Sequence, residues 1–192
     1  MATYILVLAH LAGDFLFQPG KLVGWKQKSP VGVLVHVLII VSINLLLFLP
    51  YLGQALVWWA ILILGVTHFI QDCAKVFYEK KYNHAHKAYP FFVDQFMHLL
   101  IIFIIGKYLI YHLKPAHLES DFLSKMYFNE NLYVYGALLI LFSYALDIVI
   151  YQVQRHRNPK LKYRRHYDAM SKRVFAFAVV YAVFLGIGLI FN

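Results

Sequence analysis

Long apolar segments are the feature that most constrains how this chain can fold. Six of them, separated by short polar or basic stretches, cover residues 2–17, 30–48, 54–70, 90–112, 132–154 and 174–191. A helix of about 20 apolar residues crosses the hydrocarbon core of a bilayer and satisfies its own backbone hydrogen bonds there. The sequence therefore predicts an all-α, polytopic membrane bundle of about six transmembrane helices. The first segment is short and is expected to be tilted or only partly inserted.

Composition agrees with a membrane protein. Hydrophobic residues make up 61% of the 192 residues and charged residues only 14%, against about 25% charged in soluble domains. We expect one integral-membrane domain over residues 1–192. Residues 1–113 would form a four-helix part that carries the motifs, and residues 132–191 would add two helices. The single cysteine, Cys73, excludes an internal disulfide.

The basic residues predict the orientation of the chain. The loops after the first, third and fifth apolar segments contain 15 of the 18 lysines and arginines, among them Lys21, Arg164, Arg165 and Arg173. The other side of the membrane has only Lys107, Lys114 and Lys125. Because cytoplasmic loops are enriched in Lys and Arg, these three loops are expected in the cytoplasm and both termini on the non-cytoplasmic side. The net charge of +9 then indicates a bilayer with anionic lipids at the basic loops as partner, and not nucleic acid. The oligomeric state stays open.

Histidines and aspartates recur at a spacing of four inside the apolar segments. The pairs are His10 with Asp14 in HLAGD, His68 with Asp72 in HFIQD, and Asp94 with His98 in DQFMH. Residues four apart share one face of a helix, and an unpaired carboxylate inside a membrane is costly. Each pair is therefore expected to form part of one buried site.

The order within each pair reverses with the expected direction of its helix. The first and third helices run inward and have His before Asp, whereas the fourth runs outward and has Asp before His. All the aspartates then lie about one turn from the cytoplasmic boundary and all the histidines about two turns deep. His36, about two turns beyond Pro30, joins the histidine layer.

Metal binding is the chemistry that such a layer favours. Imidazole and carboxylate together suit zinc, with iron or manganese as alternatives. The predicted ligands are His10, Asp14, His36, His68, Asp72, Asp94 and His98. These seven residues are more than the four ligands of one tetrahedral zinc site, and they suit one to two ions. The negative charges of three carboxylates and one hydroxide would balance two divalent ions. The alternative is a polar network that only holds the helices together.

Several neighbouring polar residues have two interpretations. Gln18 and Lys21 either orient a ligand or meet an anionic substrate, or they mark a helix end at the interface. Asp147 either supports the site and handles protons or pairs with a basic residue. Gln71 and Gln95 are expected to point away from the site, and Lys75 is expected to pair with Glu79 on the helix surface. Toward the outer face, only His112 and His117 are polar candidates.

The motif pattern resembles a known family. The elements H-x-x-x-D-F-x-x-Q, a lone histidine on the second helix, H-x-x-x-D and D-Q-x-x-H resemble an uncharacterised bacterial family of small inner-membrane proteins, a domain of unknown function, over residues 6–100. The resemblance implies a bacterial inner membrane and a shared polar site, but no reaction. The site chemistry is also loosely similar to that of intramembrane metal-dependent hydrolases, which is an analogy only.

Three functions remain open on the sequence. A metal-dependent hydrolase acting on a lipid or membrane-proximal substrate is favoured, because metal-bound water is a nucleophile near neutral pH; Asp14, Asp72 and Asp94 are its candidate catalytic residues. A metal-ion or proton transporter is the first alternative, since intramembrane Asp and His line such pathways. A membrane scaffold with a structural metal is the second.

Overall fold

Helices account for nearly all of the regular structure. A computed structural model describes residues 1–116, 118–163 and 166–191, and within these ranges it has no strand. His117, Arg164 and Arg165, which entered the predictions above, lie outside the described residues. The helices are α1 (Ala2–Leu11, continuing as a π turn over Ala12–Leu16), α2 (Gly20–Lys26), α3 (Pro30–Leu47), α4 (Ala55–Lys81), α5 (Tyr89–His112), α6 (Asp121–Tyr127), α7 (Glu130–Ile140, followed by a π turn over Leu141–Ala145), α8 (Leu146–Arg157) and α9 (Tyr167–Phe191).

Four helical segments are long and apolar enough to cross a membrane. They are Pro30–Leu47, Ala55–Lys81, Tyr89–His112 and Glu130–Arg157, the last formed by α7 and α8 together. Ala2–Leu16 is apolar but shorter, as its sequence predicted. The all-helical class is thus confirmed, and four candidate spans suit a membrane-embedded bundle, whereas the count of six spans and the placement of the termini stay predictions.

Local sequence explains where the helices that carry the site begin. The hydroxyl of Ser29 accepts a hydrogen bond from the backbone N–H of Val31 at 3.1 Å, and Pro30 occupies the first position of α3, where its missing N–H costs nothing. Pro90 is the second residue of α5, where the backbone N–H has no partner within the helix and its absence likewise costs nothing. The short helix α2 was not predicted, because its lysines and glycines suggested only a polar loop.

The helices run alternately up and down around α1. Helix α1 packs against α3, α5 and α7, and α4 packs against α3 and α5. At the end opposite the basic loops, Ile5, Phe48, Val57 and Leu109 are fully buried in one apolar core. That core joins the starts of α1, α4 and α7 to the ends of α3 and α5, so the basic loops gather at the other end of the bundle.

Gly32 fixes α2 against the start of α3. A Cβ at Gly32 would lie 2.5 Å from the carbonyl carbon of Trp25 and 2.7 Å from the backbone nitrogen of Lys26. No side chain fits at such a distance from backbone atoms, so glycine is required for this close approach. The contact holds the C-terminal end of α2, and with it Lys26, over the end of the bundle where the basic loops lie.

Candidate metal centre

The structure brings all seven predicted ligands into one buried cluster. His10 lies on α1, Asp14 on its π turn, and His36 on α3. The rest lie on α4 and α5: His68, Asp72, Asp94 and His98. Every one of these side chains is buried. Four separate helical segments therefore contribute to a single site.

The three pairs at a spacing of four do face each other. His10 Nε2 lies 4.0 Å from Asp14 Oδ2, and His68 Nε2 lies 3.6 Å from Asp72 Oδ2. On α5, His98 Nε2 lies 3.3 Å from Asp94 Oδ1. The first distance is the longest, because the π turn widens the helix at Asp14 and directs this carboxylate toward α3. Single π turns inside α-helices are frequent at functional sites.

Four atoms form a compact set, which we call site A: His36 Nε2, His68 Nε2, Asp14 Oδ1 and Asp72 Oδ2. His36 Nε2 lies 3.1 Å from Asp14 Oδ1, 3.2 Å from His68 Nε2 and 3.7 Å from Asp72 Oδ2. His68 Nε2 lies 3.6 Å from each of the two carboxylate oxygens. Tetrahedral ligands at zinc bond lengths are separated by about 3.3 Å, and these five distances of 3.1–3.7 Å are close to that value.

Asp72 links site A to a second set, site B, which consists of Asp72 Oδ1, Asp94 Oδ1 and His98 Nε2. His98 Nε2 lies 3.8 Å from Asp72 Oδ1 and 3.3 Å from Asp94 Oδ1. The two oxygens of Asp72 thus face different groups, as in a bridging carboxylate. The fourth histidine, His10, lies between the sites, with its ring centroid 5.8 Å from that of His68 and 5.2 Å from that of His98.

The buried His/Asp groups can hold a metal ion. Three overlapping triads each offer ligand atoms within 4.8 Å of one another: His10 with Asp14 and His68, His36 with His68 and Asp72, and Asp72 with Asp94 and His98. In site B, His98 Nε2 and Asp94 Oδ1 are buried and lie 3.3 Å apart as an ion pair. The same two atoms are available to a common ion, so the pair is compatible both with a metal site and with a structural polar network.

Gln18 contacts a ligand candidate, as one of its two interpretations required. Its amide nitrogen lies 3.0 Å from His36 Nδ1. The same nitrogen lies 3.2 Å from His36 Nε2, so the amide lies against the edge of the imidazole and can orient this ligand candidate. Lys21 is exposed and makes no ion pair among the described residues, which fits its interfacial interpretation.

Gln95 was missed, and the prediction that it points away is wrong. Its amide nitrogen donates to Asp14 Oδ2 at 2.9 Å, and its Oε1 accepts from His10 Nε2 at 3.3 Å. Consecutive residues of a helix point about 100° apart, so Gln95 faces α1 while Asp94, the residue before it, faces α4. Gln71, by contrast, donates only to the backbone carbonyl of Met97, at 3.4 Å.

Two lysines were also missed as parts of the centre. Lys26 Nζ lies 2.6 Å from Asp72 Oδ2, and Lys75 Nζ lies 2.9 Å from Asp94 Oδ2. Lys75 was expected to pair with Glu79, but it lies one turn after Asp72 on the face that carries the site, a spacing that could have identified it. The contact of Lys26 depends on helix α2 and had no signal in the sequence.

These lysines change the charge balance that the sequence suggested. Lys26 and Lys75 leave the three aspartates of the cluster with one net negative charge when the histidines are neutral. One divalent ion with a hydroxide then gives a neutral centre, whereas two divalent ions require additional anions. The expected balance of three carboxylates and one hydroxide against two divalent ions therefore does not hold for this cluster.

A small cavity lies beside the histidines, on the side away from the basic loops. It has a volume of about 20 Å³ and is lined in part by His10, Asn44, His68 and Gln71. His10 Nδ1, Asn44 Oδ1 and Gln71 Oε1 are buried without a hydrogen-bond partner in the described part of the chain. The volume and the polar lining suit a single water molecule. Asn44, about two turns beyond His36, was not recognised as a polar group in the outer half.

Asp147 takes the second of its two interpretations and pairs with basic residues. Its carboxylate lies 3.2 Å from Arg173 Nη2 and 3.5 Å from His166 Nδ1, and it accepts a hydrogen bond from the Tyr163 hydroxyl at 3.2 Å. Arg173 also donates to the carbonyl of Ser143, at 3.1 Å. Asp147 therefore fastens α9 to α8, and the bond from Arg173 to Ser143 fastens α9 to the π turn before α8. Among the described residues Asp147 makes no ion pair or hydrogen bond with the seven-residue cluster.

Comparison with known proteins gives a family without a function. A family model described as "Protein of unknown function (DUF3307)" matches residues 2–126. No curated protein and no solved structure matches the chain. The matched region contains all seven clustered residues together with Lys26, Lys75 and Gln95, and it ends before Asp147. The resemblance to an uncharacterised family is thus confirmed.

Proposed function

Since the chain belongs to the DUF3307 family, whose description gives no function, we propose a function from the site itself: a metal-dependent hydrolase that acts on a lipid or a membrane-proximal substrate. The proposal rests on one observation, the convergence of four histidines and three aspartates from four helical segments within a membrane-embedded bundle. Such residues are rarely placed in apolar helices without a role.

Sites A and B suggest what each residue does. Site A offers four ligand atoms and site B offers three, with Asp72 between them. We assign one to two divalent ions, zinc first and iron or manganese as alternatives. An ion with three protein ligands leaves a position for water and makes that water nucleophilic near neutral pH. The three candidate catalytic aspartates all belong to sites A and B, and one of them would accept the proton in place of binding an ion.

The proposed location follows from the charge asymmetry. The cluster lies toward the end of the bundle that carries the basic loops, while the opposite end is closed by the apolar core around Ile5, Phe48 and Leu109. With the basic loops in the cytoplasm, the site lies near the inner leaflet of a bacterial inner membrane. Its substrate would then come from that leaflet or from the cytoplasm.

A transporter is the second candidate, and Asn44 is the observation that favours it. With the cavity beside it, Asn44 extends the polar groups about two turns beyond His36. Farther along, the fully buried side chains of Phe48 and Val57 belong to the apolar core. An ion without polar partners is unstable in such a core, so transport would require a second conformation of the bundle.

Hydrolysis can be tested without knowing the substrate. Metal-loaded protein is mixed with vesicles of a bacterial polar lipid extract, and separately with a cytoplasmic metabolite extract, in water enriched in oxygen-18. Mass spectrometry should find one heavy oxygen in a product that accumulates with the wild type and with Asp147→Asn, but not with Asp72→Asn. Asp147 is the matched control because it is also a buried aspartate, but outside the cluster. A lack of labelled product, together with metal or proton flux into liposomes that requires Asp72, would replace the hydrolase with a transporter.

A further inference from the structure

Lys26 and Lys75 approach the cluster from two directions. Lys26 comes from α2 and Lys75 from α4, and their ammonium groups contact Asp72 and Asp94 at 2.6 and 2.9 Å. The lysine side chains are 12% and 23% exposed, whereas each carboxylate side chain is only 3% exposed. The two lysines therefore form the layer between the buried carboxylates and the surroundings of the protein.

Metal binding would weaken the ion pair of Lys26, whereas Lys75 contacts Asp94 Oδ2, which is not an atom of site B. Asp72 Oδ2, which Lys26 contacts, is also a member of site A. An ion at that oxygen repels the nearby ammonium group, and partly buried lysines need an anion close by. One divalent ion leaves the two lysines and three aspartates with one net positive charge, and two ions leave three. A bound hydroxide removes one of these charges, so a centre with two ions, or with one ion and a neutral water, attracts a negatively charged group.

The surroundings of Lys26 place that group at the level of lipid head groups. Helix α2 and the turn before it expose Phe17, Val23 and Trp25, interspersed with the exposed Lys21 and with Lys26. Exposed tryptophan and lysine side chains together are typical of a segment that lies in the membrane interface. Gly32 holds α2 in this position against α3.

We propose that the substrate of this centre carries a phosphate-ester anion, which Lys26 and Lys75 hold beside the metal. This inference rests on the proposed metal-dependent function. Phosphate fits better than a carboxylate, because its several non-bridging oxygens can contact the metal and both ammonium groups at once. Lysine is a common phosphate ligand that acts as a point charge. The phosphate belongs either to a lipid head group or to a soluble phosphate ester.

Phosphorus relaxation measurements can test this inference. The protein is loaded with Mn²⁺ in dodecyl maltoside, which contains no phosphorus, and the paramagnetic enhancement of ³¹P relaxation is titrated with phosphatidylglycerol or with inorganic phosphate. We expect a saturable enhancement. Loss of a charged hydrogen-bond partner in Lys26→Met or Lys75→Met should weaken the apparent affinity by about tenfold. The exposed Lys28, changed to Met, is the matched control and should leave the affinity unchanged.

The outcomes separate this inference from the proposed function. Manganese is counted in every sample, and relaxation is expressed per bound ion. If wild type binds no metal, the proposed function fails and this inference falls with it. If metal binds but neither probe relaxes, or both Met variants match wild type, only the phosphate inference is overturned. Enhancement by phosphatidylglycerol or by inorganic phosphate supports it and identifies the source. Lys26→Arg and Lys75→Arg keep the charge and should keep most of the affinity, which guards against a loss caused by misfolding.

Discussion

Asp72 is the residue on which the centre depends most. Its Oδ2 faces His36 and His68 in site A, and its Oδ1 faces His98 in site B. Lys26 neutralises this carboxylate from the end of the bundle where the basic loops lie. The other two aspartates cannot replace this carboxylate, because Asp14 belongs only to site A and Asp94 only to site B. Groups that orient such ligands should matter nearly as much as the ligands.

Gln95 gives the sharpest test of this dependence. Gln95→Leu removes the donor to Asp14 and the acceptor for His10, and loss of such an orienting group typically weakens metal affinity about 10- to 100-fold. Gln71→Leu removes a 3.4 Å contact with a backbone carbonyl and a polar group of the small cavity, but no hydrogen bond to a ligand candidate, and should have a much smaller effect. Competition with a metal-sensitive dye measures both affinities. Equal affinities for the two variants would contradict the assignment of Gln95.

Residue spacing predicted the cluster but not the residues that surround it. Pairs four apart lie on one helical face whatever the bundle looks like, so His68 with Asp72 and Asp94 with His98 could be recognised from sequence. Contacts between helices, such as that of Gln95 with Asp14, depend on how each helix is rotated. Neither hydropathy nor charge specifies that rotation.

At the scale of the elements, α2 and the π turn of α1 shape the site. The π turn over Ala12–Leu16 directs Asp14 toward His36. Helix α2 brings Lys26 over Asp72. The sequence predicted neither, because a π turn has no distinct residue pattern and a seven-residue helix is too short for a periodic signal. It did predict the starts of α3 and α5, because Ser29-Pro30 and Pro90 are local signals.

Gly32 provides a test of α2. In Gly32→Ala the new methyl group would overlap the backbone of Trp25 and Lys26, and such overpacking typically costs about 1–3 kcal/mol. We expect a lower unfolding temperature and greater accessibility of Trp25 to a water-soluble fluorescence quencher. Gly24→Ala on α2 is the control: a Cβ there has no atom within 4 Å, so stability should be unchanged or slightly higher. A Gly32→Ala protein as stable as Gly24→Ala would show that the close approach is not required.

The whole molecule is asymmetric from end to end. An apolar core closes the end away from the basic loops, while the polar cluster and the lysines lie toward the loops. The length of the apolar segments and the concentration of basic residues in alternate loops were enough to predict this arrangement from sequence. The ion pair of Asp147 with Arg173 was only one of two sequence interpretations, because the partner lies 26 residues farther along the chain.

The orientation of the chain across the membrane is a prediction about the whole molecule. In a Cys73→Ser background, Glu119→Cys and Lys160→Cys place single thiols on loops at opposite ends of the bundle. An impermeant maleimide added to intact cells should label Glu119→Cys only, since the basic loop around Lys160 is expected in the cytoplasm. Labelling of Lys160→Cys before the membrane is opened would reverse the orientation and move the site to the outer leaflet.

The metal content of the purified protein tests the central claim most directly. Elemental analysis of wild type and of Asp147→Asn should find one to two zinc, iron or manganese ions per chain. Asp72→Asn should lose most of them, because it removes the carboxylate shared by sites A and B. Wild-type protein that is folded, free of metal and unable to take it up would contradict the account and leave the cluster as a structural polar network.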